Sequence, residues 1–260
     1  MVSADLGRAI YISILSERFC LFLCSLPLLS FSSCVSISLV WHFRRANSTQ
    51  CEVPNYLPSI SAAIGGRMPE RFIWRVGIAL HCLPRILVMP YALHKHFKNT
   101  QAGRRYNLTT WWFAPLNLLN SLLHLVENGA LLTLTYISSK ENLDIHEGSF
   151  IVFMACAISF MLLHCILYRL TATQPMADEE YKLFTRKVSV MSFNCCSFGL
   201  AVYFFFRHNW YCEAGMYTLF ALAEYCTIVS NVVFHWLCTR IYKGATMAIL
   251  YPDDYEPKMS

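Results

Sequence analysis

Six long, mainly apolar stretches constrain what this chain can fold into more than any other feature. They cover approximately residues 19–41, 72–91, 111–137, 150–168, 188–206 and 217–238. Each is close to the roughly 20 apolar residues that a membrane-spanning helix needs. Only 14% of the 260 residues are charged, whereas soluble domains carry about 25%. The sequence therefore predicts an all-α, six-helix transmembrane bundle that forms one membrane domain over residues 1–260, and it excludes a soluble or disordered protein.

The basic residues predict the orientation of this bundle. The net charge of +5 lies beside the spans rather than in a continuous stripe, which indicates contact with membrane lipids and excludes a nucleic-acid partner. Thirteen Lys and Arg residues fall in the terminal segments and the connections 95–110 and 169–187, and six fall in the other loops. Because the side richer in Lys and Arg faces the cytosol, we expect both termini to be cytosolic and the loops 42–71, 138–149 and 207–216 to be lumenal.

Two features of the lumenal loops accompany this orientation. Ten of the twelve Cys residues lie within or at the ends of the spans, and only Cys51 and Cys212 lie in loops. Because an oxidising lumen permits disulfides, we predict a bond between Cys51 and Cys212, with two free thiols as the alternative. Asn47 begins the triplet Asn47-Ser48-Thr49 on the same side, and we predict that it is glycosylated.

Ionisable residues within the spans are the first candidates for function, because a charge near the bilayer centre costs several kcal/mol. There are four: Arg75, Arg85, Glu127 and Glu224. Arg75 lies one turn from the lumenal end and can reach the headgroups. At a rise of 1.5 Å per residue, His81 and Arg85 lie roughly 14 and 20 Å below the lumenal boundary. On the next span Glu127 and His124 lie at matching depths, roughly 15 and 20 Å.

The third span carries polar residues at intervals of three or four: Asn117, Asn120, His124, Glu127 and Asn128. This spacing places them on one helix face, which we expect to face the bundle. One interpretation is a hydrogen-bond seam centred on an Arg85–Glu127 ion pair. Another is a polar cavity open to the lumenal leaflet, in which His81 or His124 is a base oriented by a carboxylate. A path for ions or protons is the third. The candidate cavity residues are His81, Arg85, His124, Glu127, Asn128 and Glu224.

A second set of ionisable residues lies in the lumenal loops: Asp144, His146, Glu147, Arg207, His208 and Glu213. Such a rim can hold a phosphorylated or glycan headgroup, and an arginine suits phosphate well. The alternative is a set of ordinary solvated loop residues. The dispersed His residues predict no metal site, and the sequence has no G-x-S-x-G motif or phosphate-binding glycine loop. We therefore predict no bound cofactor.

Several segments resemble the post-GPI attachment to proteins factor 2 family of the FRAG/DRAM/Sfk superfamily. The resemblance rests on blocks in the same order, from about residue 50 to 236. They include Val53-Pro54-Asn55-Tyr56-Leu57-Pro58-Ser59, Leu80-His81-Cys82-Leu83-Pro84-Arg85, Leu125-Val126-Glu127-Asn128, and Arg207-His208-Asn209-Trp210-Tyr211-Cys212-Glu213. The chain departs from the family pattern near position 160, where the resemblance implies a histidine but Phe160 stands, with His164 one turn further on.

The resemblance implies a multi-pass protein of the Golgi or endoplasmic reticulum membrane that remodels the lipid of GPI anchors. In this role a lyso-GPI lipid or lyso-GPI-anchored protein regains a saturated acyl chain, which its stable surface expression requires. The implied partners are GPI-anchored proteins, membrane lipids and a separate acyltransferase.

Three functional hypotheses follow. The first is a membrane-embedded O-acyltransferase that uses acyl-CoA or a phospholipid as acyl donor. The second is a non-catalytic lipid-binding subunit or scaffold for a separate acyltransferase. The third is a transporter, although the sequence has no internal repeat of the kind many transporters have.

Overall fold

The computed structural model describes the backbone of residues 10–240 and 246–250 and the side chains of residues 18–240. Ten helices follow one another in the described chain: α1 (Ser16–Trp41), α2 (Phe43–Ala46), α3 (Ile60–Ile64), α4 (Glu70–Leu87), α5 (Met89–Asn99), α6 (Gln101–Thr109), α7 (Phe113–Tyr136), α8 (Leu143–Thr171), α9 (Asp178–Tyr211) and α10 (Met216–Thr239). Two short strands, β1 (Ile10–Leu15) and β2 (Thr246–Leu250), pair antiparallel. Apart from this strand pair, the described chain is helical, which confirms the predicted all-α class.

Four of the described helices are long and apolar enough to cross a membrane, namely α1 from Arg18 onwards, α8, α9 and α10. Helices α4 and α5 pass the same test together but bend by 41° at their junction, as a broken span or a re-entrant loop does. The described chain thus has four candidate spans, or five with the bent pair. Helix α7 has 24 residues but does not pass, because its polar stripe lowers its hydropathy. Its role as a sixth span stays a prediction.

The bend between α4 and α5 has a cause in the sequence. Pro90 lies in the first turn of α5, and Val88 separates the two helices. A proline lacks the backbone N–H and disfavours helical geometry in the residue before it, so α4 ends just upstream. Pro84, by contrast, lies inside α4. The expected connection over residues 95–110 is itself helical, since α5 continues to Asn99 and α6 follows.

The helices pack most extensively in three pairs, α9 with α10, α7 with α8 and α1 with α4. The last pair approaches closely at Gly77. A Cβ on this residue would lie 1.9 Å from the Oγ of Ser30 in α1. Small residues allow such close helix contacts in membranes, so Gly77 sets the distance between α1 and α4.

The bundle has two distinct ends. At the terminal end, where α1 begins and α10 finishes, β1 and β2 bring the two ends of the described chain together. At the loop end, the segment 42–69 lies against α10. There the backbone N–H of Tyr56 donates to Thr218 Oγ1 at 2.9 Å, and Tyr225 donates from its hydroxyl to the carbonyl of Pro58 at 2.6 Å. We call this segment the loop-end cover.

Candidate functional site

Arg85 is the centre of a buried polar cluster between α1, α4 and α7. Its Nη1 donates to His81 Nε2 at 2.5 Å, and its Nη2 donates to His124 Nε2 at 3.1 Å. Because an arginine only donates hydrogen bonds, both Nε2 atoms accept, and we assign the proton of each neutral ring to Nδ1. His81 Nδ1 then donates to the carbonyl of Leu23 in α1 at 2.6 Å. Arg85 therefore fixes the tautomer of both histidines.

The second half of this cluster joins α7 to α10. Glu127 Oε1 accepts from His235 Nε2 at 2.8 Å and from Asn231 Nδ2 at 3.3 Å. The expected Arg85–Glu127 ion pair is wrong for the described structure, because Glu127 pairs with α10 while Arg85 bonds the two histidines. The rings of His124 and His235 lie 5.5 Å apart and join the halves. We call these five residues, His81, Arg85, His124, Glu127 and His235, the central cluster.

Sequence analysis missed His235 as the partner of Glu127. The signal was the spacing of Asn231 and His235, which are four residues apart and so share a face of α10. A carboxylate on one span and an imidazole with an amide on another can satisfy each other only if the spans are neighbours. Nothing in a single sequence says which spans are neighbours, so this pair required the fold.

A small cavity with a volume of about 20 Å³ lies beside the central cluster. Arg85, His124 and His235 supply its polar wall. The rest of its lining is mainly apolar or thiol-bearing: Cys20, Leu23, Cys24, Met89, Leu93, Phe160 and Cys238, with Thr239. Across the described side chains, no three His, Cys, Asp or Glu residues converge as a metal site would require.

The cavity lies towards the terminal end of the bundle, because its lining includes the first turns of α1 and the last turn of α10. The expectation of a cavity open to the leaflet at the loop end is therefore corrected. The physical reason is the cover described above. Ile60, Ala63 and Ile64 of α3 pack into the apolar core between α1 and α4 and close this part of the bundle towards the loop end.

The polar stripe of α7 faces the bundle, as its spacing predicts. Its five side chains are at most 3% exposed. Asn117 donates to the carbonyl of His94 at 2.9 Å, and Asn128 donates to the carbonyl of His124 at 2.7 Å. Both polar side-chain atoms of Asn120, and the Nδ1 atom of His124, are buried with no hydrogen-bond partner in the described structure.

Glu224 does not join the central cluster, which corrects its place in the candidate cavity set. Its Oε2 accepts from the backbone N–H of Ile60 at 2.9 Å. This N–H belongs to the first turn of α3, where helix N–H groups lack a helical partner. Glu224 therefore holds the loop-end cover against α10.

A second buried pair, Lys187 with His164, was not predicted from the sequence. Lys187 was counted in the connection 169–187, but α9 begins at Asp178, and the Lys187 side chain is fully buried. Its Nζ lies 3.1 Å from His164 Nε2 and 3.9 Å from the centre of the Tyr168 ring. Phe160 packs between this pair and the central cluster. Its ring lies 5.4 Å from the ring of His164 and is stacked 5.2 Å from the ring of His235.

The structure divides the predicted rim into separate places at the loop end. Asp144 and Glu147 are exposed, whereas His146 is buried and its Nδ1 donates to the carbonyl of Ile137 at 2.8 Å. Arg207 forms an ion pair with Glu213. His208 is 2% exposed and packs 5.2 Å from the ring of Tyr217. These six residues do not form one continuous surface.

The cysteine and glycosylation predictions have different outcomes. Cys51 and Cys212 lie within disulfide distance, with their Cα atoms 5.2 Å apart. Asn47, in contrast, is 5% exposed, and its Nδ2 donates to the carbonyl of Phe43 at 2.9 Å. A glycan is attached at that nitrogen, so the structure does not support the glycosylation prediction for Asn47.

These observations define a class. The chain is a multi-pass helical membrane protein whose His, Arg and Glu side chains converge beside a cavity within the bundle. The family model described as Frag1/DRAM/Sfk1/Cwh43P N-terminal domain matches residues 16–240. The chain belongs to this family, as its sequence resemblance predicts.

Named relatives cover nearly the whole chain. "Acyltransferase PGAP2" of Xenopus tropicalis is 38% identical over 245 residues, which is 93% of this chain and 94% of that protein. "Post-GPI attachment to proteins factor 2" of Caenorhabditis elegans is 41% identical, covering 89% of this chain and 86% of that protein. "Acyltransferase PGAP2" of Danio rerio is 40% identical, over 82% and 84%. No solved structure matches the chain.

Proposed function

We propose that this protein remodels the lipid of GPI anchors by transferring a saturated acyl chain to a lyso-GPI lipid. The names of the relatives support the remodelling role, and two of them carry the word acyltransferase. The observation that supports catalysis by this chain is the Glu127–His235 pair beside the cavity. We infer from the family that the protein acts in the Golgi or endoplasmic reticulum membrane.

The pair has the arrangement of a general base with its orienting group. His235 donates its Nε2–H to Glu127, so the free lone pair of the neutral ring is on Nδ1. In the proposed reaction this atom takes the proton from the free hydroxyl of the lyso-lipid as the hydroxyl oxygen attacks the acyl carbonyl carbon. The bond from that carbon to the donor's leaving group breaks, and the leaving group, a thiolate or an alkoxide, receives the proton.

His124 has a different role in this proposal. Arg85 occupies its Nε2, so its Nδ1–H is the available donor, and this nitrogen is buried without a partner. A fixed donor in a dry site stabilises the negative charge that develops on a carbonyl oxygen during acyl transfer. Arg85 thus acts as a positioning residue that holds His124 in the donating tautomer.

The position of the cavity indicates which acyl donor can reach it. If the termini are cytosolic, as the positive-inside rule predicts, the cavity faces the cytosolic half of the bundle. A thioester such as acyl-CoA is cytosolic, and its acyl chain would enter among the apolar side chains of α1, α5 and α10 at that end. A membrane phospholipid is the second donor that we consider.

A non-catalytic accessory role is the second candidate function. It is supported by the way Arg85 ties α1, α4 and α7 together through its two histidines and Leu23, as a purely structural seam would. In that case the protein would bind the GPI lipid and assist a separate acyltransferase.

The purified protein, given lyso-GPI and labelled acyl-CoA or labelled phospholipid, separates these proposals. We expect transfer by the unaltered protein and a loss of about 100-fold or more in His235→Gln, since general bases contribute roughly 10²–10⁴-fold. Glu70→Gln is the control, because Glu70 is equally buried but lies outside the cavity. Lyso-GPI binding without transfer from either donor would favour the accessory role.

A further inference from the structure

A second, small pocket with a volume of about 10 Å³ lies at the loop end of the bundle and takes no part in the chemistry proposed above. Its polar lining comes from four segments of the chain: Ser61, Arg71, Arg75, Thr135, Ser138 and His146. We call it the arginine pocket. Arg71 and Arg75 stand in the first two turns of α4, and Thr135 in the last turn of α7. The pocket therefore lies where the helices end, at the level of lipid headgroups if α4 and α7 cross the membrane.

Positive charge exceeds negative charge around this pocket. Both arginines contact a single carboxylate, that of Glu141; Arg75 donates from its Nη2 to Oε2 at 3.2 Å, and Arg71 pairs with Oε1. Asp144 and Glu147 are exposed on α8 and do not line the pocket.

The pocket also holds unused hydrogen-bond donors. Thr135 is 5% exposed, and its Oγ1 has no partner in the described structure. The Nε atoms of Arg71 and Arg75 are likewise buried without a partner. Unsatisfied buried polar groups cost free energy, and an anion with several acceptor oxygens would satisfy donors of this kind.

Glu141 holds the arginines in place. Its Oε2 accepts from both the backbone N–H and the Oγ of Ser138 at 2.9 Å. These hydrogen bonds, followed by the charges of Arg71 and Arg75, lower the pKa of Glu141 to about 2, so it is ionised at neutral pH. One carboxylate neutralises one of the two guanidinium groups and orients both, and the remaining charge faces the pocket.

The other arginine–carboxylate pair at the loop end has one positive and one negative charge. Arg207 and Glu213 pair one to one, and Arg207 also lies 4.9 Å from the ring of Tyr211. Neither Arg207 nor Glu213 lines the arginine pocket. Arg71 and Arg75, in contrast, share one carboxylate, and Arg75 also donates from its Nη2 to the carbonyl of Tyr136 at 2.6 Å.

We propose that Arg71 and Arg75 bind the phosphate of an anionic lipid headgroup, with Thr135 as a further donor. Guanidinium groups bind phosphate oxygens in pairs of hydrogen bonds, and the position at the helix ends suits a lipid phosphate. The site docks the headgroup and is separate from the central cluster, since Arg75 and Arg85 are ten residues apart on α4, about 15 Å. The inference rests on the proposed function only in that a GPI lipid would be the natural occupant.

Binding of fluorescent phosphatidylinositol to the full-length protein in phosphatidylcholine nanodiscs tests this proposal. We expect Arg75→Gln to weaken binding about tenfold, which is the effect of losing one charge-assisted hydrogen bond. Arg71→Gln is expected to act in the same direction. Arg44→Gln removes the same charge from an exposed position on the same side of the predicted topology and is expected to leave binding unchanged.

Two soluble competitors identify the source of the phosphate. Glycerophosphoinositol and inorganic phosphate should compete only at much higher concentration than the lipid. Equal competition by inorganic phosphate would overturn the lipid assignment, and equal affinities of Arg75→Gln and Arg44→Gln would overturn the site. Glu127→Gln is expected to retain lipid binding, so the pocket and the proposed acyl transfer can fail separately.

Discussion

Two carboxylates within the bundle, the buried Glu127 and the half-buried Glu224, look alike in the sequence but have different surroundings in the structure. Glu224, near the loop end, accepts from a backbone N–H at the start of α3. Glu127 pairs with the ring of His235 beside a cavity, and its Oε2 is buried without a partner. A carboxylate bound to backbone holds the fold together, whereas one bound to an imidazole affects where that ring carries its proton. Burial alone therefore does not identify a functional acid.

If the contacts at the loop end stabilise the fold, the largest loss of stability should come from removing the disulfide between Cys51 and Cys212. A disulfide between residues 161 positions apart removes much freedom from the unfolded chain, and its loss typically costs about 2–5 kcal/mol. We expect Cys51→Ser to lower the thermal midpoint, measured in detergent. Cys195→Ser, at an exposed free cysteine, is the control. Equal midpoints for the two variants would contradict the structural role of this pair.

The next largest effect is expected at Glu224. Replacing it by leucine leaves the N–H of Ile60 without its acceptor, which costs about 1–3 kcal/mol for a buried group. Glu224→Gln keeps an acceptor oxygen and should lose much less stability. Limited proteolysis of segment 42–69 measures whether the cover loosens, and equal protection of the two variants would contradict the assignment of Glu224 as its anchor.

Lys187 extends the comparison from buried carboxylates to a buried amine. No carboxylate forms an ion pair with it in the described part of the chain, where its Nζ contacts His164 and the ring of Tyr168. Burial of a charge without an opposite charge is costly. We therefore expect Lys187→Met to raise the thermal midpoint by a few degrees, roughly 1 kcal/mol. A lower midpoint would show that the amine stabilises the fold.

The smallest effect is expected at Glu141 and depends on pH. Its pKa is lowered from 4.5 to about 2, so its ionised form is favoured in the folded protein. The stability that it contributes is therefore full above its ordinary pKa and is lost as the pH falls from about 4.5 towards 2. The unfolding free energies of the unaltered protein and Glu141→Gln should differ by a constant amount above about pH 5.5 and converge below pH 4.5. A difference that does not vary with pH would contradict this.

Much of the fold could be predicted because a single helix is recognisable from the pattern of its own residues. The apolar stretches predicted α1, α8, α9 and α10, and the spacing of polar residues predicted that the stripe of α7 faces inward. Pro90 accounts for the bend between α4 and α5, whereas α4 continues through Pro84. The pairing of β1 with β2 was missed, because it joins residues more than 230 positions apart and no local pattern in the sequence identifies so distant a partner.

The site could be predicted only in part, because contacts between helices are not local. Matching depths brought His81, Arg85, His124 and Glu127 to one level, and the structure places them there together. Depth does not give rotation or neighbours, so Arg85 was paired with Glu127 and His235 was missed. Depth also did not exclude Glu224, whose partner lies in the loop-end cover.

The central claim is that the Glu127–His235 pair carries the function of this protein. The most direct measurement is surface retention of GPI-anchored proteins in cells that lack the endogenous family member, complemented at equal expression by the unaltered chain, Glu70→Gln or Glu127→Gln. The account predicts that the first two restore retention and Glu127→Gln does not. Full restoration by Glu127→Gln would contradict it.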